Sequence, residues 1–86
     1  MKFDRNNNPR GIGKYALLNL RTNKIEWGCV GAEDEFFVIK LKDVNAEAAL
    51  RAYADKAEET DPQWAAEVRD MIERRVVNNP YKKVPD

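Results

Sequence analysis

With 86 residues, 43 % of them hydrophobic, the chain predicts one domain with a small core and excludes two independent ones. Fifteen basic residues balance fifteen acidic ones, and the single cysteine, Cys29, excludes an intrachain disulfide. The absence of histidine and serine excludes Ser-His-Asp and Cys-His catalysis and His-based metal sites before any geometry is considered.

Residues 1–13 are polar and contain Pro9, Gly11 and Gly13, which predicts an irregular basic arm. A single α+β domain is expected over 14–76. Its first strand is "KYALLNL", with Ala16, Leu18 and Leu20 on one face and Tyr15, Leu17 and Asn19 on the other. "RTNK" supplies a turn in which Asn23 tolerates positive φ. "IEWGCV" alternates Ile25, Trp27 and Cys29 against Glu26, Gly28 and Val30, predicting a second strand. After the "GAED" turn, "EFFVIKLK" is rich in aromatic and β-branched residues and predicts a third. Connections this short favour an antiparallel meander.

Two helices are expected next. Asp43 is the expected N-cap of the first, with Ala46, Ala49, Leu50, Tyr53 and Ala57 at helical spacing. "TDPQW" separates the two: Asp61 caps and Pro62 suits the first helical position of the second. Trp64, Ala65, Val68, Ile72 and Val76 then form an apolar stripe. Residues 77–86, with Pro80 and Pro85, predict a C-terminal tail. The expected fold class is therefore α+β: a three-stranded antiparallel β-meander followed by two α-helices packed on one face, in the order βββαα.

That arrangement has a consequence for binding. Helices covering the face of Ala16, Leu18, Leu20, Phe37, Ile39 and Leu41 leave Tyr15, Leu17, Phe36 and Val38 on the outer face. That face is more apolar than a wetted one requires. It predicts an interface unless the terminal segments cover it, and a homodimer is the simplest version. Arg10, Lys14 and Arg21 would rim it.

Chemistry-bearing motifs are scarce. "RGIGKY" spells part of a phosphate loop, but no strand leads in and a strand rather than a helix leads out. Its glycines are read as a hinge into the first strand, with Arg10 and Lys14 retained as possible anion contacts. Cys29 shares the face of Ile25 and Trp27, which predicts a packed thiol rather than a nucleophile. Glu33, Asp34 and Glu35 predict a solvated acidic turn, without the spacing of a hard-metal loop. No cofactor, metal site or catalytic residue is expected.

Charge is unevenly spread. Residues 1–24 hold six bases against one acid, whereas residues 43–73 hold nine acids against three bases. The basic arm with Tyr15 suits a nucleic acid, or a small phosphorylated ligand such as a nucleotide, while acidic helices would repel phosphate. The N-terminus lacks an apolar run, and stretches such as "FFVI" reach only four residues. Neither a secretory signal nor a membrane span is expected, and the cysteine usage suits a reducing cytoplasm.

Through "GKYALLNLR", "DEFFVIKLKD" and "NPYKKVPD" the chain resembles small uncharacterised accessory proteins encoded by tailed bacteriophages. The resemblance implies a class and transfers no site residues. Such proteins act in the host cytoplasm by binding a host protein, a nucleic acid or a signalling nucleotide. The expectation is a non-enzymatic accessory protein that binds and modulates a host protein, with Arg10, Lys14, Tyr15, Leu17, Arg21, Phe36 and Val38 as the binding residues. The alternative is a binder of nucleic acid or a phosphorylated ligand through the basic arm.

Overall fold

The structure, a computed structural model, describes residues 14–84, so the arm at 1–13, including Arg10 and the "RGIG" glycines, lies outside the described residues. The described chain divides into two compact units, one ending at Val38 and the other starting at Ile39.

The first unit is an antiparallel β-ribbon of β1 (Leu17–Asn19) and β2 (Lys24–Glu26). Its register pairs Leu17 with Glu26, Leu18 with Ile25 and Asn19 with Lys24. Asn19 organises the turn. Its side-chain oxygen accepts from the N–H groups of Arg21 at 3.0 Å and Thr22 at 3.3 Å. Its own carbonyl accepts from the Asn23 N–H at 2.7 Å, and its amide donates to Glu26 at 3.0 Å. Asn23 takes the expected positive φ, 58°.

The three-stranded meander does not form: among the described residues the sheet has two strands. Two physical causes act on the expected third strand. Gly28 and Gly31 take φ of 60° and 80°, which breaks extension soon after β2 and turns the chain through Cys29–Glu35. There the Ala32 N–H bonds the Cys29 carbonyl and the Glu35 N–H bonds the Ala32 carbonyl, so these groups are satisfied by turns rather than by a ladder. The apolar residues of "EFFVIKLK" then divide. The Phe36 ring lies against Gly28, while Ile39 and Leu41 pack on the helical core. Between them Phe37 and Val38 stay 63 % and 43 % exposed, so the segment makes partial contacts in two separate places and high strand propensity does not prevail.

The second unit is a helical hairpin of α1 (Ala46–Ala57) and α2 (Pro62–Met71), the latter running directly into a π-helical stretch, Ile72–Val77. Asp61 caps α2 as expected, accepting from the Trp64 N–H at 3.0 Å, with Pro62 beginning the helix. The cap of α1 is corrected. Asn45, not Asp43, holds that position, and Asp43 accepts from the Asn45 N–H at 2.7 Å one step earlier.

Ala46, Ala54, Val68, Ile72 and Val76 form the buried core of this unit, with Leu50 packed against it. Ala65 is buried as well. The α1 stripe therefore runs 46, 50, 54. The expected members Ala49 and Tyr53 face outward, as does Trp64 of α2. Three fully buried alanines let backbones approach closely where a larger side chain would hold them apart.

Polar contacts fasten the edges of the hairpin. Arg69 donates to Asp55 at 2.9 Å and Glu58 at 2.7 Å, and Arg51 to Glu47 at 3.0 Å and Glu73 at 2.7 Å. The Trp64 indole N–H donates to the Tyr53 hydroxyl at 3.0 Å. Past the π-helical stretch the chain returns to the segment before α1. The Lys83 N–H bonds the Lys42 carbonyl at 2.9 Å, and the Val44 N–H bonds the Lys83 carbonyl at 3.1 Å. No helix among the described residues is long and apolar enough to cross a membrane.

Candidate functional site

All the described candidate residues lie in the ribbon unit. Lys14 and Tyr15 meet directly, with the Lys14 ammonium 5.8 Å from the centre of the Tyr15 ring, within cation–π range. Leu17 sits in β1 opposite Glu26, on the face that also carries the Asn19–Glu26 hydrogen bond. Arg21 lies in the turn with its side chain exposed. Arg10 lies outside the described residues.

The outer sheet face expected from Tyr15, Leu17, Phe36 and Val38 does not exist as a sheet face. It required a third strand, and without one Phe36 and Val38 fall in irregular chain. Phe36 is drawn inward over Gly28, so closely that a methyl group on Gly28 would overlap its ring. Val38 remains 43 % exposed.

The ribbon instead presents an apolar pair, one member of which, Leu18, is expected from the sequence on the covered face. Leu18 and Ile25 are direct cross-strand partners, and they are 55 % and 52 % exposed. Leu20, at the start of the turn, is 85 % exposed. Leu17 is half exposed on the opposite face, so neither face of the ribbon is fully polar. The signal was present in the alternation of "KYALLNL", which is apolar on both faces. Its meaning depended on what the helices bury. They bury one another, together with Ile39 and Leu41.

Arg69 is held above its ordinary value by hydrogen bonds to Asp55 and then Glu58, and Arg51 by those to Glu73 and then Glu47. Both stay cationic and act as ties between helical side chains. Among the described residues no group of three or more cysteine and carboxylate side chains is placed to hold a metal. Glu35, in the acidic turn, accepts from the Gly31 N–H at 3.1 Å, and Cys29 is half-buried with a free thiol.

A second group has no counterpart among the expected binding residues. From Arg74 to Lys83 the chain reads "RRVVNNPYKK", with four bases and no acid. Leu41, Arg74, Arg75, Asn79 and Tyr81 help line an open groove there, with a volume of about 220 Å³. The acidic excess counted over residues 43–73 stops just before this segment and so does not describe it.

No known protein family, curated protein or solved structure matches the chain.

Proposed function

We propose that the chain is a small non-enzymatic accessory protein of the phage type, which binds and modulates a host protein in the host cytoplasm through its β-ribbon. The observation that carries this reading is the outward-facing Leu18–Ile25 pair, continued by Leu20 at the turn. A two-stranded ribbon is marginal in water, and apolar cross-strand pairs contribute most when something covers them. A contiguous apolar group on such a ribbon is suited to a protein partner. Lys14, Arg21 and Lys24 flank the group along the chain, which favours a partner patch that is apolar at its centre and acidic at its rim. The lack of histidine and serine argues against an enzymatic role.

Affinity capture from host lysate, run with wild type and Leu18→Asp in parallel, tests the reading. The expected result is a partner retained by wild type and lost with Leu18→Asp, with far-UV circular dichroism unchanged. A partner retained equally by both would refute the assignment to this surface. Light scattering on the same samples distinguishes self-association: a dimer that Leu18→Asp splits would replace the host partner with a second copy.

A further inference from the structure

We infer that the segment Arg74–Lys83 is a binding surface for single-stranded nucleic acid, a function separate from the ribbon. Basic residues at the end of a helix ordinarily serve the helix itself, by meeting its unpaired carbonyls. Here the asparagines take over that work. The Asn78 side-chain amide donates to the Glu73 carbonyl at 3.1 Å, and that of Asn79 to the Arg75 carbonyl at 2.9 Å. Among the described residues Arg75 and Lys82 form no ion pair. Arg74 has only an exposed contact with Asp70, made through its Nε at 3.2 Å. These cations are left available for an external anion.

The segment is also held in place. Asn79 accepts from the Tyr81 N–H at 2.8 Å, and the backbone bonds of Lys83 to Lys42 and Val44 anchor the chain immediately after Lys82. Between the arginines and lysines stands Tyr81, which is 75 % exposed beside the open groove. Cations flanking an exposed aromatic ring form the pairing that single strands use, backbone phosphates on the charges and a base on the ring. A duplex keeps its base faces stacked inside and could not use Tyr81 in this way.

Fluorescence anisotropy with a labelled oligothymidine of about 12 nucleotides tests the inference. Three cations, Arg74, Arg75 and Lys82, correspond to a log–log salt slope of about −2.1, or about a twentyfold loss of affinity from about 50 to 200 mM salt. Arg75→Ala with Lys82→Ala should reduce the slope to about −0.7, a loss of about threefold over the same range. Tyr81→Ala should weaken binding by about fivefold or more and leave the slope unchanged. Absence of saturable binding near 50 mM salt would overturn the inference. So would affinity unchanged in the double variant but lost with Arg10→Ala, which places the contact on the arm. Equal affinity for a duplex, with no effect of Tyr81→Ala, would reduce the site to unspecific charge and overturn it as well.

Discussion

Ile72 offers the sharpest test of how the helical unit is held together. It is fully buried, packs among Ala46, Ala54, Val68 and Val76, and lies where α2 passes into the π-helical stretch. Ile72→Ala removes three carbons. At about 0.8 kcal/mol for each buried carbon the transfer loss is about 2.4 kcal/mol. The surrounding alanines are short and cannot reach into the space, so the cavity adds to that loss and brings the total to about 3–4 kcal/mol. A chain of this length has roughly 4–13 kcal/mol in all, so the substitution removes a large part of it.

Urea unfolding followed by far-UV circular dichroism measures the loss. In a Trp27→Phe background the remaining tryptophan, Trp64, reports on the helical unit alone. Two further variants calibrate the result. Ile72→Val removes one carbon and should cost about 1 kcal/mol. Leu18→Ala, at a half-exposed ribbon position, should cost no more than about 0.5 kcal/mol. A loss below about 1 kcal/mol for Ile72→Ala, or one no larger than that of Leu18→Ala, would show that Ile72 is not a core residue.

Two further outcomes concern the ribbon unit. Gly28→Ala introduces a methyl at a positive φ and against the Phe36 ring, so it should destabilise the turn after β2 by about 1–3 kcal/mol; loss of the Phe36 ring-current shift on the protons of residue 28 in nuclear magnetic resonance spectra would register it. Asn19→Ala removes the acceptor for the Arg21 and Thr22 N–H groups and the donor to Glu26. It should cost about 1–2 kcal/mol and weaken the Leu18–Ile25 cross-strand nuclear Overhauser effects, whereas unchanged effects would show that the strands alone set the turn.

The parts of the fold legible in the sequence were those that local chemistry decides. Asp61 and Pro62 start α2 because a carboxylate and a ring of fixed φ suit those positions in any context. Asn23 takes positive φ for a similarly local reason. The third strand failed although "EFFVIKLK" has the composition of one: Phe36 packs on Gly28, Ile39 and Leu41 pack on the helical core, and Phe37 between them stays exposed, a division composition cannot foresee. Strand propensity describes a residue's fit to a pleated, half-buried surface, and that surface was absent once Gly28 and Gly31 turned the chain away. The α1 stripe was misplaced for a related reason. Tyr53 has the hydrophobic bulk of a core residue, but its hydroxyl is paired with Trp64 at the rim, and Ala54 takes the interior position.

Placing Leu18 on a covered face assumed that the helices need the sheet to close their core. The helical unit closes its core with its own alanines and with Ile39 and Leu41, and in the ribbon Leu18 and Ile25 are half exposed. The basic segment at 74–83 was not legible because its meaning is not compositional. Arg74 and Arg75 in the last turn of a helix look like capping until Asn78 and Asn79 are seen making the capping bonds. The two proposed surfaces use different residues, which makes their tests independent. Leu18→Asp should leave oligothymidine affinity unchanged, and Arg75→Ala with Lys82→Ala should leave partner capture unchanged. If one substitution abolished both activities, the ribbon and the basic segment would be serving a single partner, and the division of labour drawn from their chemistry would be wrong.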